Sequence, residues 1–329
     1  MVEKVQIGFV GTGGIAGHHL RQLAAIPAAE IAALCDVAPG RADQAVADYG
    51  GRAFTDYRHM LEAVQLDALY VCVPPFAHER AEIMAVERGI HLFVEKPVVM
   101  DLAQGLEILA AVEAADVISS VGYSLRYTPW LQTAHRFVQG REVAMITSNR
   151  WGGIPGDAGH WWRAYEKSGG QLLEQATHQV DAMRWLAGDI AEVYAYYSQQ
   201  VTRDLPNMTV PDAQVAAFQM TSGAVGYIAT SCALTQGGGA SDLRVVFRDM
   251  VLEVGAEIAV RPQGVVELPD LPDLPDFVPN IDQAFVTAVR SGDRAGILCD
   301  YREGLKSAAA CIAANESARS GRSIACWSG

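Results

Sequence analysis

The sequence predicts an α/β fold. A doubly wound parallel sheet forms the first part, and an α+β part built on a large, open-faced, mostly antiparallel sheet follows. Three observations carry this. Residues 5–16 read as a buried strand, a glycine turn and the start of a helix. Up to residue 121, short apolar runs alternate with helical segments, the pattern of parallel strands joined by crossover helices. Beyond residue 143, long stretches of alternating character dominate, as in antiparallel strands with one solvated face.

In the first part, strands fall at 5–10, 31–35, 53–55, 69–73, 91–94 and 117–121. Helices fall at 14–26, 41–49, 57–64 and 77–88, and Asp101 caps a further helix that reaches Ala115. The rhythm changes near Gly122, which divides the chain into domains 1–122 and 123–329. Thr128 and Pro129 open a helix as cap and first residue. Alternating segments follow at 143–150, 193–202, 214–221, 224–233, 243–247, 251–254 and 258–261, with Thr221-Ser222-Gly223 as a hairpin turn. Residues 268–279, rich in Pro and Asp, read as a loop. Helices at 281–291 and 300–319 complete the chain, and the 300–320 segment is expected to pack back on the first domain.

The chain has 329 residues, half of them hydrophobic, which suits two domains with sizeable cores. A formal net charge of −13 argues against nucleic acid or an anionic membrane as the main partner. No apolar run is long enough to span a bilayer, and the first strand starts at once, with no signal-like stretch before it. The six cysteines (35, 72, 232, 299, 311 and 326) are scattered without a C-x-x-C pair. They read as core residues of a cytoplasmic protein rather than a disulfide or metal set.

Gly11, Gly13 and Ala16 have the G-x-G-x-x-G/A spacing between strand and helix. Gly11 permits the tight turn, Gly13 lets a pyrophosphate approach the backbone, and Ala16 lets the helix pack against the strand. Thr12, Gly14 and Ile15 complete the turn, whose free N–H groups favour an anion. Asp36 ends the second strand 20 residues beyond Ala16, where a carboxylate can bond a ribose 2′-hydroxyl. Asp36 repels a 2′-phosphate, which favours NAD over NADP. Arg41, close in sequence, keeps NADP open.

Two further motifs follow strands. Val73-Pro74-Pro75, with His78 after it, forces the chain out of the strand and serves either the edge of a nucleotide site or a plain helix-initiating loop. Glu95-Lys96-Pro97 puts a lysine at a strand C-terminus, where it points into the ligand crevice or lies solvated. A lysine beside a nicotinamide can bond a substrate hydroxyl, and Glu95 can pair with it. Further on, Glu174, His178, Asp181 and Trp185 share one stripe of a continuous helix after Gly169-Gly170. The stripe reads either as an acid/base histidine beside carboxylates or as an exposed polar face. The aromatic run around Trp162 lines an apolar pocket, stacks on sugar faces or makes an oligomer contact. No zinc set, nucleophile elbow or P-loop is present.

These pieces, in this order, resemble the glucose–fructose oxidoreductase/inositol dehydrogenase (Gfo/Idh/MocA) family, whose first domain is a Rossmann fold. The carriers are Gly11-Thr12-Gly13-Gly14-Ile15-Ala16, Asp36, Val73-Pro74-Pro75 with His78, Glu95-Lys96-Pro97, Gly122-Tyr123-Ser124-Leu125-Arg126-Tyr127, and Gly169-Gly170 with Glu174 and His178. The resemblance implies hydride transfer between NAD(P) and a hydroxyl of a sugar, cyclitol or related polyol. It gives Lys96 the family's lysine position and His178 the acid/base position. Glu174 stands where many members have Asp. Val73-Pro74-Pro75 replaces a common Thr-Pro-Asn, so a hydroxyl and an amide are missing near the cofactor. Tyr123, Arg126, Trp162 and Asp181 are the expected substrate-side residues. A homodimer or homotetramer through the open sheet face is also implied. Two alternatives share the fold: a redox-neutral, NAD-dependent glycosidase or lyase, and a non-catalytic NAD or sugar sensor.

Overall fold

The computed structural model describes residues 4–255, 258–262, 269–273 and 278–329. The chain forms two compact units, residues 1–124 with 279–304 and residues 125–278 with 305–329.

The first unit begins β1 (Val5–Val10), α1 (Gly14–Ala24), β2 (Ala29–Cys35), α2 (Arg41–Tyr49), β3 (Arg52–Phe54), α3 (Tyr57–Ala63), β4 (Ala68–Val71), α4 (Ala81–Val86), β5 (His91–Val94), α5 (Leu102–Ala115) and β6 (Ser119–Val121). Its sheet runs β3-β2-β1-β4-β5-β6 and is parallel throughout. Residues of β1, β4 and β5 are buried almost without exception, as parallel strands covered on both faces require. The expected cap is present: the Asp101 carboxylate accepts the Gln104 N–H at 3.0 Å. The expected helix at 77–88 is shorter. Prolines 74 and 75 divert the chain into a single tight turn at Pro75–Ala77 before α4 starts.

The second unit holds α6 (Pro129–Val138), β7 (Met145–Trp151), α7 (Tyr165–Ser168), α8 (Gly170–Glu174), α9 (Thr177–Ala187), β8 (Ile190–Ser198), β9 (Ala213–Met220), β10 (Val225–Ser231), β11 (Ala240–Phe247), β12 (Met250–Val254) and β13 (Ala259–Pro262). The chain then returns to the first unit with α10 (Ile281–Ser291). α11 (Tyr301–Ser320) and β14 (Ile324–Ala325) follow. The second sheet runs β13-β12-β11-β7-β10-β9-β8-β14. It is antiparallel except for β7 and β10, which pair in parallel. Strand β9 alternates exposed and buried at every residue, so one face is open. The Thr221–Gly223 turn closes β9 and β10, with Gly223 at φ +91° and its N–H on Met220 O at 3.0 Å. The proline-rich 268–279 segment lies in part outside the described residues.

The last helix corrects an expectation. Only its first turn belongs to the first unit, where the Tyr301 N–H bonds Ser119 Oγ at 3.1 Å. From Leu305 on it belongs to the second unit. There Ser307 donates to Asp181 at 2.8 Å and Ser317 accepts the Ala195 N–H at 3.0 Å. The helix that returns to the first unit is α10, which packs against α1 and β1.

Candidate active site

In the first unit the strand C-termini are tied into one edge. Gly11 N–H bonds Cys35 O and Cys72 N–H bonds Val10 O, both at 2.8 Å; Glu95 N–H bonds Val71 O and Gly122 N–H bonds Val94 O, both at 2.9 Å. The glycine turn, Asp36, the Val73-Pro74-Pro75 turn and Glu95-Lys96-Pro97 therefore share that edge. Ligands of open α/β sheets bind there. Gly11 sits at φ +91°, and a Cβ on it would lie 2.6 Å from Cys72 O and 3.1 Å from a Val73 methyl. Only glycine permits this turn to press against its neighbour. A Cβ on Gly13 or Gly14 would meet nothing within 4 Å, so both backbones face open space at the start of α1. Ile15, beside them, is 43% exposed, an apolar surface at the mouth of the turn.

Asp36 is buried. Its Oδ2 accepts the Thr12 N–H and hydroxyl, both at 3.0 Å, and its Oδ1 accepts the Ala38 N–H at 2.8 Å. The carboxylate thus fixes the turn as well as terminating β2. Beside it is a cleft of about 260 Å³ whose walls include Asp43, Asp56 and His59. His78 turns inward: its Nδ1 meets Glu82 Oε1 at 2.6 Å, and both side chains are buried. Val73 and Pro74 are half-buried at the strand end. These features fit a dinucleotide: a glycine cradle without Cβ atoms in its path, a free helix N-terminus, and an acid at the end of β2.

Lys96 is half-buried, and the Lys96–Pro97 peptide is cis. Glu95 is buried; its Oε2 accepts the Lys96 N–H at 3.0 Å, and its Oε1 meets His19 Nε2 at 3.0 Å. A Cβ at Gly122 would overlap this carboxylate, which accounts for the glycine there. Tyr123 follows, fully buried. His19, on the buried side of α1, lies between Glu95 and Asp282 of α10, at 2.8 Å from the latter. Burial, the largest single influence, pulls its pKa down. The bonds and charges of Asp282 and Glu95 outweigh it and raise the pKa to about 9. This triad was not read from the sequence. Its signal was a histidine at 19 on the stripe Ala16, His19, Leu20, Leu23 of an otherwise apolar buried face.

In the second unit the continuous 169–188 helix does not form. α8 ends at Glu174 and α9 starts at Thr177, and the Ala176 N–H reaches five residues back to Gln171 O at 2.8 Å. That wider turn inserts a residue and shifts the phase between Glu174 and His178. Both remain half-buried. Glu174 acts on Arg150 of β7, a half-buried cation that the sequence reading missed. Burial lowers the Arg150 pKa, and the Glu174 charge opposes this.

Three more of the expected substrate-side residues are, like Tyr123, buried. Asp181 is fully buried and accepts Arg126 Nε at 2.9 Å, Arg126 Nη2 at 2.7 Å and Ser307 Oγ at 2.8 Å. Arg126 is 2% exposed. A bidentate pair of this kind is committed internally. Trp162 is the centre of an apolar cluster with Met208, Val210 and Cys232. Its indole N–H has no hydrogen-bond partner among the described residues. Trp185 stacks on His135, ring centroids 4.1 Å apart, so the stripe shared with Glu174, His178 and Asp181 is not a common exposed face. Among the described residues no helix is long and apolar enough to cross a membrane.

Comparison with known proteins agrees with this geometry. Residues 5–123 match the model of the oxidoreductase family with an NAD-binding Rossmann fold, and residues 139–268 match the GFO/IDH/MocA C-terminal domain. The chain is 28% identical over 241 residues to the uncharacterized oxidoreductase YrbE of Bacillus subtilis, covering 70% of this chain and 68% of that one. It is 27% identical over 234 residues to the myo-inositol 2-dehydrogenase of Thermotoga maritima, covering 69% and 68%. Among solved structures, the WlbA dehydrogenase of Chromobacterium violaceum, in complex with NADH and UDP-GlcNAcA, is 28% identical. It superposes with a TM-score of 0.84 over 98% of this chain and 96% of that one. An NAD-binding Rossmann unit with the glycine turn and acid in place, joined to the matching C-terminal domain, makes this chain a member of the GFO/IDH/MocA oxidoreductase family.

Proposed function

We propose that the protein is an NAD-dependent dehydrogenase that oxidises a secondary hydroxyl of a sugar, cyclitol or related polyol, or runs the reverse reduction. The observation that carries this reading is the placement of Glu95-Lys96-Pro97 on the same sheet edge as the glycine turn and Asp36. The N–H groups of residues 13–15 would hold the pyrophosphate, with Thr12 tied to Asp36, and Asp36 would take the ribose. The acidic wall of the neighbouring cleft, with Asp43 and Asp56, supports NAD over NADP. When bound, the nicotinamide supplies the hydride acceptor.

The chain's own groups position the substrate and manage the proton. The Lys96 ammonium donates to the substrate oxygen and steadies the charge that develops there. His178 takes the hydroxyl proton, a task suited to an imidazole near neutral pH. Glu174 supplies a carboxylate that sets the local charge, with Arg150 as its neighbour. Arg126 and Asp181, paired and buried, hold the framework of the second unit. The WlbA dehydrogenase is held with a nucleotide-linked sugar acid, so acidic sugars belong among the substrates to be tried. The open sheet face exposes Met145, Tyr196, Val215, Val225 and Tyr227, with a groove of about 390 Å³, and suits a second copy of the chain.

His178→Ala tests the proton role. Turnover is expected to fall by about 10²-fold or more while NAD affinity stays unchanged. Unaltered turnover would remove His178 from the reaction.

A further inference from the structure

We propose that His19 is a positioning residue for Lys96: doubly protonated and buried, it ties Glu95 to Asp282 and so fixes the peptide that carries the lysine. The inference rests on the dehydrogenase reading for the role of Lys96, and on geometry for the rest.

The ring has one nitrogen on each of two carboxylates, Nε2 on Glu95 at 3.0 Å and Nδ1 on Asp282 at 2.8 Å. A neutral imidazole donates only once, so donating to both requires the imidazolium. All three side chains are at least nine-tenths buried. They lie on three separate elements, α1, the end of β5 and the start of α10. The other carboxylate oxygen of Glu95 holds the Lys96 N–H at 3.0 Å. Gly122 leaves this carboxylate no space to spare, because any Cβ there would overlap it. The chain of contacts is therefore continuous: Asp282, His19, Glu95, Lys96 backbone. A lysine needed at one point of a reaction is sensitive to shifts of about 1 Å.

The surroundings keep the imidazolium in place. From β5 the Phe93 ring meets His19 edge-on with centroids 4.9 Å apart, and from β4 the Tyr70 ring lies at 5.6 Å. Phe285 of α10 packs on both of those rings. On α1 itself, His18 is 5.7 Å away. Cys72, at the end of β4, stays a neutral thiol because burial and the two carboxylates push its pKa well up. The charged groups facing His19 are thus Glu95 and Asp282, and both favour its proton.

The test uses the full chain with His19→Gln, whose amide reaches one carboxylate but not both, and Asp282→Asn, which keeps the shape. Amide hydrogen exchange is measured at Lys96 and at Val94, two residues earlier in β5. We expect exchange at Lys96 to quicken about tenfold relative to Val94 in His19→Gln, and by less in Asp282→Asn. Turnover should fall at least as far, with NAD affinity kept. Equal changes at Lys96 and Val94, or none at Lys96 in a folded variant, would overturn the proposal. If His19→Gln does not fold, Asp282→Asn decides by the same readouts. If the wild-type chain turns over no sugar or polyol, the dehydrogenase reading fails, and the exchange comparison still decides whether His19 positions Lys96.

Discussion

Replacing Asp181 by Ala separates a framework role from a substrate role. In the structure its carboxylate answers Arg126 through two bonds of 2.9 and 2.7 Å and accepts the Ser307 hydroxyl at 2.8 Å. A second guanidinium, Arg184, stands 3.8 Å away. Both members of the Arg126 pair are at most 2% exposed, so water cannot replace the lost carboxylate. Breaking a buried pair from one side costs about 3–5 kcal/mol, because the remaining charge is left uncompensated. The second unit, which holds the pair, is of a size at which each kcal/mol moves Tm by about 2–4 °C, so Asp181→Ala should lower the Tm of that unit by about 10 °C. The assay is thermal unfolding alongside the KM for substrate. The double variant Arg126→Met, Asp181→Leu should recover most of the loss, since an apolar pair of similar volume often replaces a buried ion pair at little cost. An unchanged Tm with a raised KM would refute this reasoning and return Asp181 to the substrate side.

Two further outcomes follow from the same structure. His19 has a folded pKa of about 9 against 6.5 in the unfolded chain, so its proton stabilises the fold. The contribution, about 3 kcal/mol, is complete below about pH 6.5, declines as pH rises and is gone above about pH 9. Urea unfolding across that window should show it in the wild type and not in His19→Gln; parallel curves would contradict it. The open sheet face should hold two copies together, so charged substitutions at Val225 and Tyr227 should shift the chain to monomer in light scattering. A wild type that is already monomeric would contradict this.

Much of the first unit was legible because its signals are local. The glycine turn, the Asp101 cap and the apolar strands each specify their structure within a few residues, and α2, β5, α5 and α10 begin and end where the sequence places them. The second sheet was legible as alternation but not as topology. Nothing in β7 or β10 marks them as a parallel pair, since pairing is decided between segments far apart. The break at 175–176 carries no Gly or Pro, so periodicity ran through it. The family resemblance put Asp181 and Arg126 on the substrate side; their mutual burial spans 55 residues of sequence, which no local pattern shows. The His19–Asp282 contact spans 263 and was beyond any local pattern. The two-residue strand β14 is too short to show periodicity.

The measurement that bears most directly on the central claim is growth of the reduced-nicotinamide absorbance band. Purified protein is given NAD or NADP with a panel of inositols, hexoses, pentoses and sugar acids. The account predicts reduction with one class of polyol or sugar, faster with NAD than with NADP because of Asp36 and the acidic cleft beside it. A flat signal across the panel with both cofactors, and NAD nevertheless retained by the protein, would contradict it and favour redox-neutral chemistry on the same fold.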